Sequence, residues 1–417
     1  MQPTRRDVLR LGLGTSTLLA CGATVPTFLA NAANALAAEP ARDAKGRILV
    51  VLQLDGGNDG LNTVAPYADD DYPKHRPRLH LAAKAVAKID DRVGFHPGLS
   101  DFAKLLESRQ LAVVQGVGYP NPNRSHFESM AVWHTARPDP KRDTPGWLAR
   151  GLDAVPPAPG GDVAALHVSG ELLPQALVGG QRHVPSLTSL EQFHRRLGIP
   201  DGAGAREQRA TLDALASEER GKPGSLLQFV QRSSTLTYTS SARLESVVAG
   251  GSASYPEFYG LARRLRLIAQ LIKAGLTTSI YYTRLGGFDT HANQFGTHDG
   301  LLREMGASLQ AFLKDMTDSG NGQRLVVLVF SEFGRRLTEN ASAGTDHGTA
   351  APVFLLGGAV KSGLHGPYPN LRDLADGDPK FAIDFRRVYA TLLDGWLSCP
   401  SDKVLGEKFE TLPLLSV

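Results

Sequence analysis

Acidic residues follow three apolar, strand-like segments of this sequence, each at or soon after the carboxyl end of the segment. Asp55 directly follows the first segment, Asp289 follows the second after a glycine-containing turn, and Glu332 lies just beyond the third. Carboxylates at the carboxyl ends of separate parallel strands can converge on one point, and clustered carboxylates repel one another unless a cation or a proton neutralises them. The pattern therefore favours a cation site at one edge of a sheet.

Two histidines lie close to acids in the same pattern. His291 is two residues after Asp289, and His347 directly follows Asp346 in a loop ahead of another apolar segment. Taken alone, an Asp-His pair more often contains a surface or capped histidine than a metal ligand. Asp, Glu and His together, however, suit Zn, Mn, Mg or Ca. We therefore expect one or two divalent ions per chain, held by Asp55, Asp289, His291, Glu332 and His347.

Ser125 is the candidate nucleophile. It follows an apolar segment and precedes an expected helix over 127–135, so its hydroxyl could simply cap that helix. The functional alternative is a metal-activated alkoxide that attacks phosphorus or sulfur, with the helix amides and Arg124 holding the anion. The sequence has no G-x-S-x-G elbow and no P-loop or dinucleotide-binding fingerprint in a strand-turn-helix context.

Alternating strands and helices must position these residues. Apolar runs rich in branched residues indicate strands buried on both faces, over 48–54, 111–119, 276–283, 325–330 and 353–356. Apolar residues at steps of three and four indicate helices over 258–272 and 302–316, and a later helix is expected over 385–397. This alternation predicts a three-layer α/β/α sandwich with a largely parallel central sheet.

The length of 417 residues allows two or three domains or one large one. Acids and histidines from Asp55 to His347 have to meet in one cleft if they share a site, so we expect a single domain over 48–417. Residues 156–224 are richer in Pro, Gly and polar residues and are interpreted as an insertion or cap region.

Charge and cysteine content exclude several classes. A net charge of +3 and a pI of about 8.8 are too weak to indicate nucleic-acid binding. The two cysteines, Cys21 and Cys399, cannot build a zinc-thiolate site or a disulfide framework. Metal ligands should therefore be oxygen and nitrogen atoms.

The first 37 residues have the layout of a Tat signal peptide, and 38–47 would be a linker. Arg5 and Arg6 precede a moderately apolar run over 11–30, and small residues of the A-x-A kind follow. We therefore expect the Tat translocon as a partner, cleavage after Ala37, a periplasmic or secreted protein, and no stable membrane span after cleavage. The alternatives are an uncleaved membrane anchor and, as a minor variant, a lipoprotein anchored at Cys21.

The chain resembles the DUF1501 family, Tat-exported bacterial proteins of unknown function related to the alkaline phosphatase and sulfatase superfamily. The resemblance covers Ile48 to the C-terminus. It is carried by the motifs over 54–67 (LDGGNDGLNTVAPY), 123–129 (NRSHFES), 286–294 (GGFDTHANQ), 331–336 (SEFGRR) with Glu339-Asn340, 344–358 (GTDHGTAAPVFLLGG) and 384–389 (DFRRVY).

The resemblance implies an alkaline phosphatase-like fold and a two-metal hydrolase of phosphate or sulfate esters. It implies Asp55 and Glu332 at one metal, with Ser125 as the nucleophile. It implies Asp289, His291 and His347 at the other metal. Arg124, Arg335 or Arg336 would neutralise the remaining oxygens of the anion.

The sequence departs from the superfamily pattern at two points. The superfamily usually has a histidine four residues after the aspartate that corresponds to Asp289, and Asn293 stands at that position here. It usually has a second histidine where this sequence has Phe333, whose side chain cannot bind a metal. A missing ligand would have to come from Asn58, Asp59, His126 or His298. The formylglycine motif Cys-x-Pro-x-Arg of ordinary sulfatases is absent from the sequence.

Two functions from different classes follow. The first is an exported metal-dependent hydrolase of a phosphate or sulfate ester that uses Ser125. The second is a catalytically degenerate protein that binds a sulfated or phosphorylated glycan, or a partner, in the periplasm. Metal content and ester hydrolysis distinguish them.

Overall fold

The computed structural model describes residues 46–155, 163–182, 184–188 and 253–416. The expected signal peptide, Cys21 and most of the expected insertion over 156–224 lie outside the described residues, so these assignments stay predictions. Within the described ranges, no helix is both long enough and apolar enough to span a bilayer.

An eight-stranded mixed sheet forms the centre of the molecule, in the order β10-β5-β9-β8-β1-β7-β6 with β13 pairing with β5 beside β10. The strands of the described residues are β1 (Ile48–Leu54), β2 (Val64–Ala65), β3 (Ala87–Lys88), β4 (Gly94–Phe95), β5 (Leu111–Gly118), β6 (Ala165–His167), β7 (Ile280–Leu285), β8 (Leu325–Ser331), β9 (Ala351–Leu356), β10 (Gly363–His365), β11 (Leu374–Ala375), β12 (Asp378–Pro379) and β13 (Ile383–Asp384). The remaining short strands form two small sheets, β2-β4-β3 and β11-β12.

Strand β9 is the reversed member of the central sheet. It pairs antiparallel with both β5 and β8, whereas β1 pairs parallel with β7 and with β8. Because β9 runs backwards, its first residue Ala351 lies at the same edge as the carboxyl ends of β1, β7 and β8. The loop that precedes β9 is therefore held at that edge too.

Helices cover both faces of the sheet. The described helices are α1 (Gly60–Thr63), α2 (Tyr72–His75), α3 (Ser100–Glu107), α4 (His126–Thr135), α5 (Trp147–Ala154), α6 (Gly260–Lys273), α7 (Gln294–Asp318), α8 (Phe385–Gly395) and α9 (Ser401–Leu405). One buried apolar core contains residues of α3, α6 and α7, and a second contains residues of α4, α5, α8 and α9.

Strand β1 separates the two cores. Its side chains alternate between them, with Val50 and Leu52 in the first and Leu49 and Val51 in the second, as expected for a strand buried on both faces. The predicted three-layer α/β/α sandwich with a largely parallel sheet is confirmed.

Most predicted elements are present, with shifts at their ends. The strand expected from Leu276 begins at Ile280, because backbone hydrogen bonds link Ser279 to the neighbouring loop at Ala164. Strand β6 was not predicted from its three residues, although it forms an edge of the sheet. It belongs to the described part of the segment interpreted as an insertion.

Candidate metal centre

The candidate residues converge at the carboxyl edge of the sheet because two turns approach closely there. Gly56 has a φ of +114°, and a Cβ at this position would lie 2.3 Å from the backbone nitrogen of Asp289. Only glycine tolerates both the positive φ and this approach. The turn after β1 can therefore pack directly against the turn after β7, which brings Asp55 and Asp289 into one site.

Three ligand atoms meet at the centre of this edge. One atom each of His126, Asp289 and His347 lie within 4.8 Å of one another. Asp289 Oδ1 is 3.0 Å from His347 Nε2 and 3.4 Å from His126 Nε2. A tetrahedral ion with bonds of about 2.0–2.1 Å separates its ligands by about 3.3 Å, so these spacings match a shared cation.

His291 brings a third nitrogen, and thus a fourth candidate ligand atom, next to this group. Its Nε2 lies 3.0 Å from Asp289 Oδ1 and 2.9 Å from His347 Nε2. Loop packing fixes this approach, because a Cβ at Gly344 would lie 2.2 Å from the carbonyl carbon of His291. We refer to His126, Asp289, His291 and His347 as the histidine half of the site.

Each histidine of the histidine half is oriented by an acceptor at its other ring nitrogen. The Nδ1 atoms of His126, His291 and His347 lie 2.8, 3.0 and 2.7 Å from Glu332 Oε1, Asp346 Oδ1 and the Arg124 carbonyl oxygen. A carboxylate or a carbonyl oxygen accepts, so each Nδ1 is the donor. In the neutral ring each Nε2 then presents a lone pair, which is the usual arrangement of metal-binding histidines.

This donor set fits a metal ion. Three nitrogen lone pairs and a carboxylate oxygen repel one another where nothing positive lies between them. The buried Nε2 of His126 has no hydrogen-bond partner, as expected if its partner is a cation. Three imidazoles and one carboxylate suit zinc in particular.

Arg335 keeps Asp289 ionised. Although burial raises the pKa of Asp289, the hydrogen bond and the positive charge of Arg335 lower it to about 2. The buried guanidinium of Arg335 donates to Asp289 Oδ1 at 2.6 Å and to the carbonyl oxygens of Gly56, Gly57, Phe288 and Thr345. Arg335 therefore ties the loops of the site together, and its hydrogen bonds leave little capacity for a substrate anion.

Asp55 lies in different surroundings. Its Oδ2 is 2.7 Å from Arg284 Nη2, and the Gln53 side chain donates to its Oδ1. Burial raises the pKa of Asp55, while Arg284 acts in the opposite direction. Both carboxylate oxygens thus have protein donors, and the positive charge beside Asp55 comes from the chain itself.

Glu332 is buried and hydrogen-bonded. Its Oε1 accepts from the Gly56 backbone nitrogen and from His126 Nδ1, both at 2.8 Å, and its Oε2 lies 2.9 Å from the Ser331 hydroxyl, which is shared with the Leu54 carbonyl oxygen. Glu332 therefore orients His126, which belongs to the histidine half. We refer to Asp55, Arg284 and Glu332 as the arginine half of the site.

Of the four side chains that might replace a missing ligand, the structure brings only His126 to the site. Asp59 is fully buried and pairs with Arg76 at 2.6 Å. Asn58 and His298 bond to each other at 3.0 Å, and burial lowers the pKa of His298 to about 3. Asn58, Asp59 and His298 thus stabilise the turn after β1 and are not part of the candidate metal site.

Phe333 occupies the position where the superfamily pattern has a histidine. Its buried ring lies 5.0 Å from the His126 ring and 4.8 Å from the His347 ring, between centroids. It thus packs beneath two histidines of the histidine half and restricts their rotation.

Ser125 is exposed at the N-cap of α4, and its hydroxyl makes no capping hydrogen bond. Its neighbours on both sides belong to the site, since Arg124 accepts from His347 and His126 is part of the histidine half. The Arg124 guanidinium points elsewhere, to Asp376 and Asp378, both at 2.6 Å. Arg124 would have to leave these partners in order to bind an anion.

Two residues carry more of the site than the sequence suggested. His126 was considered only as a substitute ligand, although its position directly after Ser125 in a motif pointed to it. Arg284 was not considered as a site residue. The signal that could have identified it is a single basic residue near the end of β7, where the other strands are followed by acids.

Sequence comparison establishes the relationship that these motifs suggested. The family model described as protein of unknown function (DUF1501) matches residues 47–398. The chain belongs to the DUF1501 family. A comparison with curated proteins finds no match in sequence.

Solved structures with similar folds include a sulfatase and a phosphonate monoester hydrolase, all at low identity. PsFucS1 sulfatase from Pseudoalteromonas sp. is 11% identical over 92% of this chain and 74% of that chain, with a TM-score of 0.41. Phosphonate monoester hydrolase SpPMH from Silicibacter pomeroyi is 11% identical over 87% and 77%, with a TM-score of 0.34. The periplasmic domain of EcEptC from Escherichia coli, a complex with Zn, is 8% identical over 76% and 74%, with a TM-score of 0.37.

Proposed function

We propose that this DUF1501 protein is a metal-dependent hydrolase of phosphate or sulfate esters with one divalent ion per chain. The observation that carries the proposal is the histidine half, where ligand atoms of His126, Asp289 and His347 lie within 4.8 Å of one another and His291 Nε2 lies 3.0 Å from Asp289 Oδ1 and 2.9 Å from His347 Nε2. Each of the three histidines has an acceptor at Nδ1. Zinc is the ion that this donor set favours.

One ion, and not two, is proposed because Arg284 lies where a second cation would be needed. The Arg284 guanidinium neutralises Asp55 at 2.7 Å, and Glu332 Oε1 already accepts two hydrogen bonds. Both oxygens of Asp55 have protein donors. In this proposal the arginine half supports the site and does not hold a metal.

The proposed nucleophile is Ser125. When bound, the metal supplies a Lewis acid that polarises the ester anion. The Ser125 oxygen forms a bond to phosphorus or sulfur, the bond to the ester oxygen breaks, and the departing alcohol takes the proton that Ser125 gives up. Water then cleaves the new ester and restores the serine. The first backbone N–H groups of α4 point towards an anion at this position.

Metal analysis and hydrolysis assays of the purified chain test the proposal. We expect about one zinc per chain by elemental analysis and hydrolysis of aryl phosphate or aryl sulfate esters. Ser125→Ala should abolish turnover and keep the metal, whereas Ser108→Ala, at a surface serine after α3, should change neither.

Two outcomes would contradict the proposal. Turnover retained in Ser125→Ala would exclude the covalent step, and a chain that takes up no metal would exclude the cation. Metal bound without hydrolysis of either ester class would favour the second candidate, binding of an anionic glycan or a partner. The engagement of Arg124 by two aspartates is the observation on its side.

We further propose that the chain is exported through the Tat pathway, from the twin arginine Arg5-Arg6 and the apolar run after it. Replacing both arginines by lysine should retain the protein in the cytoplasm as an uncleaved precursor. Cell fractionation with mass spectrometry of the N-terminus measures this. Export of the lysine variant would contradict the route.

A further inference from the structure

A cleft of about 470 Å³ opens beside the metal centre. Its polar end contains Asp55, Asp289 and Arg284. Its apolar wall comes from two separate elements, the first turns of α4 and the segment 172–174 that follows β6. The apolar side chains of this wall are Phe127, Met130, Ala131, Leu172, Leu173 and Pro174.

Two side chains of this wall are unusually exposed. Phe127 is 87% exposed and Leu172 is 88% exposed, and they face the cleft from different elements. Single exposed apolar residues are ordinary, but two that border one cleft next to a reactive centre form a local apolar surface. A ligand with an apolar part would cover both side chains and gain the free energy of burying them.

Several polar side chains that line the cleft already have partners within the protein. His134 Nε2 lies 2.7 Å from Gln53 Oε1, and Gln53 donates to Asp55. Gln175 Nε2 donates to the Thr144 carbonyl oxygen at 3.1 Å. A sugar needs free donors and acceptors for its hydroxyls, because polar groups buried without partners are costly.

We propose that this cleft receives the alcohol part of the substrate and that this part is an apolar alkyl or aryl group. The substrate class is then an amphiphilic phosphate or sulfate monoester, with its anion at the histidine half and its chain against Phe127 and Leu172. This inference rests on the proposed function, and a sulfated or phosphorylated glycan is the alternative ligand.

Binding of non-hydrolysable alkylphosphonates tests the inference without turnover. Methyl-, butyl- and hexylphosphonate are titrated into the zinc-loaded chain by calorimetry. We expect affinity to rise by about threefold to fourfold for each added methylene, as for apolar surface moved out of water. Equal affinity for the three phosphonates would overturn the inference.

Variants on the two elements separate the wall from the metal centre. Phe127→Ser and Leu172→Ser should each reduce the gain from methyl- to hexylphosphonate by at least about threefold and leave methylphosphonate binding and zinc content unchanged. The matched control is Phe258→Ser, since Phe258 is 76% exposed and precedes α6. If Phe127→Ser displaces the adjacent His126, the chain-length dependence of Leu172→Ser alone is used to test the proposal. A chain-length gain that survives in Leu172→Ser would contradict the proposal.

The outcomes distinguish this inference from the proposed function. Chain-length-dependent binding without hydrolysis of any ester would support the cleft and contradict the hydrolase. Hydrolysis with equal kcat/KM for hexyl and glucosyl phosphates would support the hydrolase and contradict the apolar cleft. Dispersed monoesters and vesicles containing phosphatidic acid distinguish the source of the chain: cleavage of both indicates a membrane lipid, and cleavage of dispersed ester alone a free amphiphile. If aryl esters are hydrolysed, cleavage of neither amphiphile would contradict the proposed substrate class.

Discussion

The histidine half and the arginine half lie side by side at one edge of the same sheet, and both are built on carboxylates that follow buried strands. Asp289 faces three Nε2 atoms, whereas Asp55 faces a guanidinium. The role of each carboxylate is thus set by the side chains that neighbouring loops bring to it, and not by its own place at the strand end. In the proposed site Asp289 is a metal ligand, whereas Asp55 is an ion-pair partner of Arg284.

Removing one ligand from each half gives the largest expected difference. His347→Ala should weaken zinc binding by at least about 100-fold, because it removes a donor atom from the shared site. Asp55→Asn should change zinc affinity by less than about threefold, because Arg284 already neutralises Asp55. Competition with a chromophoric chelator measures both variants. Equal losses would mean that the two halves hold one metal in common.

Histidines packed away from the metal centre contrast with the ligands. Burial lowers the pKa of His134 and of His298 to about 3, far below the value of 6.5 in an unfolded chain. Below pH 6.5 the unfolded state takes up protons that the folded state refuses, so stability falls as the pH drops from 6.5 towards 3. Each histidine should cost about 2 kcal/mol of unfolding free energy between pH 7 and pH 5.

Denaturant unfolding in chelator at pH 7 and pH 5 measures this effect without contributions from metal loss. His298→Gln keeps a donor for Asn58 and should reduce the pH-dependent loss by about 2 kcal/mol. His365→Gln, at a partly exposed position in β10, is the control and should leave the loss unchanged. An unaltered pH dependence in His298→Gln would show that other groups cause the acid sensitivity.

Substitution of Arg284 tests the proposal that this side chain takes the place of a metal ion in the arginine half. Arg284→Ala should lower the unfolding free energy by about 1–2 kcal/mol in chelator, a buried-pair loss reduced for the partial exposure of the Asp55–Arg284 pair. Excess zinc should recover part of the loss, as a second ion replaces the guanidinium. Arg303→Ala, at a surface pair on α7, is the control. No recovery with zinc would mean that Asp55 and Glu332 cannot hold an ion.

The smallest expected effect is at Phe333. Phe333→Leu keeps the apolar character but removes ring contacts with His126 and His347. Zinc affinity should fall by about twofold to tenfold, the range that aromatic contacts contribute. Phe330→Leu, which alters a buried ring on β8 outside this group, is the matched control. Unchanged affinity in Phe333→Leu would show that the outer hydrogen bonds alone orient the histidines.

The strands and their acids were predictable because apolar runs and the residues that end them are local features. Asp289 and His347 were expected near each other and are. The separation of the acids into two groups was not predictable, because it depends on Arg284 reaching across to Asp55. The exposure of Phe127 and Leu172 likewise depends on which elements flank the cleft, and no local pattern encodes that.

The reversal of β9 has a consequence for how this edge can change. The chain leaves the sheet at the end of β8 and re-enters it in the adjacent strand β9, so residues 332–350 form one excursion between hydrogen-bonded neighbours. Within it, Gly334 and Gly348 pair through their backbones, and the excursion carries Glu332, Phe333, Arg335 and His347 together. These four residues are thus carried by one loop whose two ends are fixed in adjacent strands, so a change in the length of this loop would displace residues of both halves of the site together.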